Sequence, residues 1–288
     1  MTHHEPFIDR LAFVGGGNMA EALIRGLRDG PLRAAPIAVS DIRPDRLHEL
    51  ADRYDIAPAE SNVQAVADAP VAVLAVKPQK LPEVLGEVKN HTQGKLIVSV
   101  VAGVSSSAIE KVVAKDARVI RAMPNTPALV GAGATAVAPG ARAGVEDLAL
   151  AERLFESVGT VYRVDETQID AVTGLAGSGP AYVFLFIEAL RDAGIAAGLS
   201  PEVAGALAAQ TVYGAATLLR ETEEDPEALR RNVTSPHGTT ERGVARLQAE
   251  RLSEAVKAAV LDAQARSREL GGEFDRAIDE ALANGRGG

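Results

Sequence analysis

A short apolar run that leads into three consecutive glycines is the feature of this sequence that most constrains its fold. The run is Leu11–Val14, and a helical pattern with one apolar face follows the glycines as far as Leu27. A strand that turns into a helix through Gly15-x-Gly17-x-x-Ala20 is typical of the first unit of a dinucleotide-binding fold. Gly15 permits the tight turn, Gly17 lets the backbone approach a pyrophosphate, and Ala20 allows close helix packing. The helix start offers N–H groups to the anion, so we expect a bound dinucleotide.

Composition excludes several classes of function. The chain has 288 residues, a net charge of −9 and no cysteine. An acidic chain without a basic block predicts no nucleic-acid partner, and the lack of cysteine excludes disulfides, thiolate metal sites and a cysteine nucleophile. The N-terminus lacks the pattern of a signal sequence, and no run is judged long enough to span a membrane. We therefore expect a cytoplasmic protein that acts on a small-molecule substrate away from the membrane.

Alternating strand and helix patterns predict an α/β first half. Continuous apolar runs such as Val71–Val76 and Leu96–Val101 are expected of parallel strands buried on both faces. Gly133–Ala138 and Thr160–Val164 are predicted as the last strands, for which an antiparallel direction is left open. No strand pattern remains from Asp165 onward. The prediction is a Rossmann domain with a mostly parallel, doubly wound sheet over residues 1–164, followed by an all-α dimerisation and substrate-binding domain over residues 165–288.

The helical half contains a segment that the sequence predicts to be a subunit interface. The apolar pattern Gln168–Leu199 is interrupted at Gly177–Pro180, where a break is expected because proline removes a helix hydrogen bond. Apolar residues surround Val183–Leu190 with little charge, which indicates burial on all sides. A domain this small would achieve that burial by packing against a second copy of the chain. The next helix, Pro201–Leu219, is rich in alanine and glycine and permits close helix approach.

Polar residues at the end of the second strand, Ile37–Ser40, and just past it bear on which nicotinamide cofactor binds. An acid such as Asp41 would bond a ribose 2′-OH, whereas an arginine such as Arg43 would neutralise a 2′-phosphate, and Ser40 adds a hydroxyl. A turn with a local Asp–Arg pair is the alternative interpretation. NADPH and NADH both stay open, with the arginine and the serine favouring NADPH.

Three further positions carry polar groups where ligands or caps are expected. Lys77 follows a buried strand at the sheet edge where α/β proteins bind ligands, although a solvated surface lysine explains it equally well. Asn62 is predicted as the N-cap of a helix over Val63–Ala67. The segment Thr234–Thr240 places hydroxyls, His and Gly before a helix, which suits a carboxylate. An ordinary Ser/Thr-x-x-Glu capping motif is the alternative there.

Five motifs follow one another along the chain. They are Gly15-x-Gly17-Asn18-Met19-Ala20, Ala75-Val76-Lys77-Pro78-Gln79, Arg121-x-Met123-Pro-Asn-Thr-Pro127, Gly177-Ser-Gly-Pro-Ala-Tyr182 and Val233-Thr-Ser-Pro-x-Gly-Thr-Thr240. Together, in this order, they resemble the motifs of Δ1-pyrroline-5-carboxylate reductases, which carry out the last step of proline biosynthesis. The resemblance extends from Leu11 to about Leu270.

The resemblance implies a Rossmann domain and a helical dimerisation domain, in intertwined homodimers that often assemble into decamers. It implies substrate contacts in the segment 235–240 of the partner subunit, where we name Ser235, Gly238, Thr239 and Thr240. It implies NAD(P)H contacts at Gly15, Gly17, Asn18, Met19, Ser40, Asn62, Ala75, Val76, Lys77, Pro78, Val100, Val101 and Ala102, to which the residue pattern adds Arg43.

One position departs from the family pattern. The family usually carries two glycines after the proline, whereas this chain has Pro236-His237-Gly238. We expect the imidazole to point to solvent. The alternatives are a changed carboxylate-binding loop or a pH-sensitive contact.

The reaction that the resemblance implies is hydride transfer from NAD(P)H to the C=N carbon of (S)-1-pyrroline-5-carboxylate, which gives L-proline. A protonated cyclic imine accepts hydride readily, so the protein needs no metal and no strong acid and mainly orients two reactants. We predict that the Thr240 hydroxyl hydrogen-bonds the ring nitrogen. Backbone N–H groups near Gly238–Thr240 would hold the carboxylate.

Three other functions are alternatives to this reaction. A β-hydroxyacid dehydrogenase shares the two-domain plan but places a catalytic lysine after the domain junction, and this chain has no lysine between Lys115 and Lys257. A reductase of a related cyclic imine, such as the six-membered piperideine carboxylate, is the nearest alternative. A catalytically impaired NAD(P)-binding protein, its loop disabled by His237, is the third.

Overall fold

The computed structural model describes residues 9–30 and 32–284, which form two compact units. The first unit contains the described chain up to Gly177 together with the chain from Asp262 on, and the second contains residues 178–261. Residues 165–177 and the last part of the chain therefore pack with the first unit, whereas the sequence suggested a single division between residues 164 and 165. The last strand ends at Arg163 within the described chain.

An eight-stranded sheet is the centre of the first unit. Its strands are β1 (Leu11–Val14), β2 (Ile37–Ser40), β3 (Ala57–Pro58), β4 (Val71–Leu74), β5 (Leu96–Ser99), β6 (Arg118–Met123), β7 (Gly133–Pro139) and β8 (Gly159–Arg163). They lie in the order β3-β2-β1-β4-β5-β6-β7-β8. The first six are parallel, β7 is antiparallel to β6, and β8 is parallel to β7. The predicted fold class is confirmed. The direction of the last two strands, which the sequence left open, is opposite to that of the first six.

Helices cover both faces of this sheet. They are α1 (Asn18–Asp29), α2 (Pro44–Tyr54), α3 (Asn62–Ala67), α4 (Leu81–Val88), α5 (Ser106–Glu110), α6 (Val145–Glu156) and α7 (Ile169–Val172). Successive side chains of β1 enter opposite cores: Phe13 packs with Leu23 of α1 and Phe155 of α6, while Val14 packs in a second cluster with Leu85 of α4. Burial on both faces explains why the central strands are continuously apolar.

One predicted cap is wrong. Helix α3 begins at Asn62 and its N-cap is Ser61, whose hydroxyl accepts a hydrogen bond from the Gln64 N–H at 3.1 Å. Serine and asparagine are comparable N-cap residues, so the sequence by itself did not show whether Ser61 or Asn62 caps the helix.

The second unit is helical. Its helices are α8 (Gly179–Ala196), α9 (Pro201–Thr222), α10 (Pro226–Asn232), α11 (Thr239–Ala249) and the start of α12 (Leu252–Asn284), which continues into the first unit. The predicted break before α8 is confirmed, since a π-helical turn over Thr173–Gly177 precedes it and Pro180 lies in its first turn. Helices α8 and α9 pack closely, because a Cβ on Gly194 would lie 3.1 Å from the Cβ of Ala204.

Apolar side chains of α8 are exposed in the single chain. Phe184 is 59% and Leu185 is 67% exposed, so the predicted burial on all sides is not reached within one copy. The helical stretch Glu166–Ala196 contains an 18-residue window with a mean hydropathy of 1.2, and it is long and apolar enough to cross a membrane by length and composition. The expectation that no run reaches that length is therefore wrong. Helices that pack in a core or an interface meet the same criterion, so it is weak evidence for a membrane.

Candidate active site

A cleft of about 580 Å³ lies at the carboxyl ends of β1, β2 and β4. The strand order reverses between β1 and β4, which is where open α/β sheets bind ligands. Its lining includes nine residues that the sequence predicted as cofactor contacts: Gly15, Gly17, Asn18, Ser40, Arg43, Asn62, Ala75, Val76 and Lys77. The turn after β1 and the turn after β4 are therefore brought together as expected.

Five predicted cofactor residues do not line this cleft. Met19 packs against the hydrophobic core, and Val101 is buried in the cluster on the other face of the sheet. Val100 follows β5, and its N–H donates to Leu74 O at 3.1 Å, which places it beside the end of β4. The remaining two are Pro78 and Ala102, both half-buried. Their contact with a cofactor stays a prediction.

The glycine turn has the geometry that a pyrophosphate site requires. Gly15 has a φ of 99°, and a Cβ there would lie 2.6 Å from the carbonyl oxygen of Ala75, so only glycine fits. A Cβ on Gly17 would have no protein atom within 4 Å, and it would project into open space beside the cleft. Gly17 is the N-cap of α1 without a side-chain cap, which leaves the first N–H groups of the helix for a ligand. These residues fit a dinucleotide.

Asp41 and Arg43 form an ion pair on the cleft wall. The Asp41 carboxylate accepts hydrogen bonds from Arg43 Nε at 3.0 Å and from the Gly16 N–H at 2.8 Å. Burial by itself raises the pKa of Asp41, but the hydrogen bonds from Arg43 and Gly16 outweigh it and hold the pKa below its ordinary value. Arg43 stays 59% exposed, so its guanidinium is both paired and open to a ligand.

A chain of two hydrogen bonds joins three other residues that line the cleft. Ser40 Oγ donates to Asn62 Oδ1 at 2.7 Å, and Asn62 Nδ2 donates to Glu87 Oε2 at 2.7 Å. Ser40 is buried, so its hydroxyl fixes Asn62 instead of projecting freely into the cleft. Lys77 is exposed at the rim.

Part of the cleft lining comes from residues that no sequence motif indicated. Glu83, Val84 and Glu87 of α4 face the cleft together with Ile42 and Lys80. Glu87 lies four residues after Glu83 and three residues after Val84, so these side chains lie on one side of the helix. This spacing can be read from the sequence. No cluster of metal-ligating side chains occurs in the described residues.

The segment 233–240 belongs to the second unit and leads into α11. Gly238 is the N-cap of α11 without a side-chain cap, so the Ser/Thr-x-x-Glu alternative does not describe this turn. Glu241 instead accepts from the His237 N–H at 2.7 Å. Thr239 and Thr240 occupy the first turn and are exposed, and the Thr240 hydroxyl has no hydrogen-bond partner within the described residues. The helix start and its hydroxyls are therefore open to a ligand.

His237 adopts a backbone conformation that favours glycine. Its φ is 59°, in the left-handed region, and its side chain is exposed in the single chain. The expectation that the imidazole points to solvent agrees with this exposure. The family glycine at this position is explained by the backbone, since an L residue is strained there.

Two family models match the chain. Residues 10–103 match a family described as NADP oxidoreductase, coenzyme F420-dependent, and residues 166–270 match the dimerisation domain of pyrroline-5-carboxylate reductases. The pyrroline-5-carboxylate reductase of Synechocystis is 44% identical over 91% of this chain and 98% of its own length. That of Pseudomonas aeruginosa is 43% identical over 91% and 96%.

Solved structures agree with these relatives. A pyrroline-5-carboxylate reductase from Coxiella burnetii superimposes with a TM-score of 0.87 at 38% identity, over 92% of this chain and 98% of that one. A Plasmodium falciparum pyrroline carboxylate reductase with NADP bound superimposes with a TM-score of 0.81 at 29% identity, over 91% and 98%.

Proposed function

Because the chain belongs to the pyrroline-5-carboxylate reductase family, we propose that it reduces the C=N bond of (S)-1-pyrroline-5-carboxylate with NAD(P)H and so forms L-proline. The observation that carries this proposal is the glycine turn at the head of a cleft, in a chain that continues into the reductase dimerisation domain. The cofactor supplies the hydride when it is bound. The protein binds and orients the two reactants. In such reactions, orientation supplies a large part of the reduction in the activation barrier.

The first unit would hold the cofactor. Gly17 and Asn18 would receive the pyrophosphate through backbone N–H groups, and Arg43 would receive a 2′-phosphate. The Gly15 N–H already donates to Ser40 O at 2.8 Å, so Gly15 would contribute by letting the turn pass close to the cofactor. We propose NADPH as the preferred cofactor because Arg43 is exposed on the cleft wall. Asp41 works against this preference, since its carboxylate faces the same wall and suits the 2′-OH of NADH.

The segment 235–240 would hold the substrate. The N–H groups at the start of α11 suit a carboxylate, because the helix dipole and unpaired donors both favour an anion. The exposed hydroxyl of Thr240 would hydrogen-bond the ring nitrogen, and Ser235, Gly238 and Thr239 would complete the contact. The imine brings its own proton, so this site requires no buried acid.

Replacing Thr240 tests its catalytic role. Thr240→Ala removes the hydroxyl, and we expect kcat/KM for pyrroline-5-carboxylate to fall about a hundredfold because the hydrogen-bond partner of the reacting nitrogen is lost. NADPH affinity should not change. Thr240→Ser keeps the hydroxyl and should restore most of kcat/KM. Steady-state kinetics with nicotinamide-fluorescence titrations measure both quantities, and equal turnover by wild type and Thr240→Ala would exclude Thr240 from the mechanism.

Oligomerisation follows from the dimerisation domain, and its details are proposals. We propose a homodimer through the C-terminal helices, in which each subunit provides the segment 235–240 to its partner, with further assembly into a decamer. The match to the dimerisation-domain family begins at residue 166, and this supports a domain boundary between residues 164 and 165. We also propose a cytoplasmic location and no membrane partner. The net charge of −9 supports the further proposal that the protein has no nucleic-acid partner.

A turnover assay tests the whole proposal. Purified protein is mixed with pyrroline-5-carboxylate and either NADPH or NADH, and oxidation is followed by absorbance. Substrate-dependent oxidation, faster with NADPH, is expected. The six-membered piperideine carboxylate is the matched alternative substrate. A higher kcat/KM for it than for pyrroline-5-carboxylate would show that the six-membered imine is the preferred substrate. Binding of both cofactors without turnover would favour the impaired protein.

A further inference from the structure

The backbone of Gly16 is held by two charged side chains that follow β2. Gly16 is buried in the turn between β1 and α1. Its N–H donates to Asp41 Oδ2 at 2.8 Å, and its carbonyl oxygen accepts from Arg46 Nε at 2.8 Å. Buried backbone groups require partners, and in this turn side chains provide them for both groups of one residue.

The hydrogen bond from Arg46 determines where the next N–H points. Every peptide bond in the described chain is trans and close to planar, so the N–H of Gly17 points opposite to the carbonyl of Gly16. Arg46 holds that carbonyl from outside the cleft, since it is not one of the residues that line it. Gly17 does line the cleft. Holding the carbonyl therefore keeps the Gly17 N–H directed away from Arg46.

Arg46 is itself fixed in place. Its guanidinium pairs with Glu21 in the first turn of α1 and with Glu49 of α2, the latter at 2.7 Å. The Arg46 side chain is only 12% exposed. One rigid fork thus joins α2, α1 and the glycine turn, a role that needs the diverging N–H groups of arginine.

We propose that Arg46 is a positioning residue for the cofactor: without touching it, Arg46 sets the direction of the Gly17 N–H that receives the pyrophosphate. The inference rests on the proposed function of the cleft. It adds a residue that lies 30 positions from Gly16 and has no glycine-rich or strand-end signal of its own.

The chain offers a matched control in Arg53. Its guanidinium pairs with the same two glutamates, with Glu21 Oε1 at 2.6 Å and Glu49 Oε1 at 3.1 Å. No hydrogen bond joins Arg53 to the glycine turn in the described residues. Arg46→Met and Arg53→Met therefore remove the same charge from the same carboxylates, and only the first removes the donor to Gly16.

The experiment titrates the full-length protein with two cofactor fragments, ADP-ribose, which contains the pyrophosphate, and 2′-AMP, which does not. We expect Arg46→Met to raise the Kd of ADP-ribose about tenfold, in line with the loss of a charged hydrogen bond, and to change the Kd of 2′-AMP less than about twofold. Arg53→Met should change neither Kd. In turnover, Arg46→Met should raise KM for the reduced cofactor and leave kcat at saturation unchanged.

Arg46→Lys is the second variant if Arg46→Met does not fold. Its ammonium keeps a positive charge between the glutamates but lacks the fork that contacts three partners at once, so the Kd of ADP-ribose should again rise selectively. A wild-type Kd for ADP-ribose in a folded Arg46 variant would overturn the inference, as would an equal rise in Arg53→Met. Failure of the wild type to bind ADP-ribose would overturn the proposed function of the cleft instead.

Discussion

At the scale of single residues, His237 shows how one side chain can be at odds with its backbone. An L residue in the left-handed region costs about 1 kcal/mol relative to glycine, and His237 has a φ of 59°. The strain lies beside the proposed substrate carboxylate site. The side chain is exposed, so the cost belongs to the backbone rather than to a lost contact.

Replacing His237 separates these two effects. We expect His237→Gly to raise the free energy of unfolding by up to about 1 kcal/mol, because glycine adopts a positive φ without strain. His237→Ala keeps a Cβ and should give no such gain. Urea unfolding measures both, and kcat/KM should change little in either variant. A large loss of kcat/KM in both would show that the imidazole contacts substrate.

Asp41 makes the stability of the glycine turn depend on pH. Its pKa in the folded chain is lowered by hydrogen bonds from Arg43 and Gly16, despite the opposing effect of burial. A carboxyl whose folded pKa lies below its unfolded value stabilises the fold above about pH 4, and this contribution is lost as the pH falls through the folded pKa.

We expect Asp41→Asn to lower the free energy of unfolding at pH 7 and to have a smaller effect as the pH falls below about 4. Urea unfolding of wild type and variant across this range measures the difference. Arg43→Met should show the same trend, because it removes one of the donors that lower the pKa. A difference that stays constant with pH would contradict this assignment.

At the scale of elements, a buried arginine ties β6 to the chain that follows the sheet. Arg121 is 5% exposed, and its guanidinium pairs with Glu166 at 3.1 Å and with Asp170 of α7 at 3.3 Å. Asp170 also accepts from Ser267 Oγ of α12 at 2.8 Å. Arg121 and Asp170 together therefore join β6, α7 and α12 within the first unit.

Removing Arg121 should unfold this junction more readily. We expect Arg121→Met to cost about 3 kcal/mol in the free energy of unfolding, because it leaves the partly buried Glu166 without its cation and Asp170 with only Arg268, whose Nε lies 4.0 Å away. Arg118→Met on the same strand is the control. Arg118 is 37% exposed and pairs with Asp147, so its loss should cost less than about 1 kcal/mol. Equal losses in urea unfolding would contradict a special role for Arg121.

The same scale shows where sequence patterns stop being informative. The sequence patterns predict a strand over Arg118–Met123 and helices over Pro44–Tyr54 and Pro226–Asn232. The strand β6 and the helices α2 and α10 have these bounds, because prolines and apolar spacing mark them locally. The sequence pattern Ser253–Leu270 predicts a helix that ends before two glycines, but α12 continues to Asn284. Gly271 lies against Gly103, and Phe274 and Ile278 are buried. Packing therefore outweighs the low helix propensity of glycine.

At the scale of the whole molecule, the exposed apolar side chains of the second unit require a partner. Phe184 and Leu185 are more than half exposed on α8, and Leu207 of α9 is 53% exposed. Several large apolar side chains exposed on neighbouring helices are typical of subunit interfaces. The family match to a dimerisation domain over residues 166–270 agrees with this.

A charge on α8 should therefore dissociate the oligomer. We expect Leu185→Glu to give a folded monomer by sedimentation velocity, since a carboxylate in an apolar interface loses its hydration. Val145→Glu is the control, because Val145 is 73% exposed at the start of α6 in the first unit. Loss of activity in the monomer would support a partner contribution to the substrate site. An intact oligomer with Leu185→Glu would place the interface elsewhere.

By itself the sequence determined the order of strands and helices, the glycine turn and the family, because these depend on local spacing and on short motifs. Nine of the predicted cofactor residues meet at one cleft for the same reason: they follow strands whose ends lie together in any doubly wound sheet. Only the tertiary structure decided that Asp41 and Arg46 hydrogen-bond to the backbone of Gly16 and that Ser40 donates to Asn62. It also decided that α12 continues through its two consecutive glycines to Asn284. Such contacts join residues far apart in the chain, and their partners are chosen by which buried polar groups and surfaces the fold brings together.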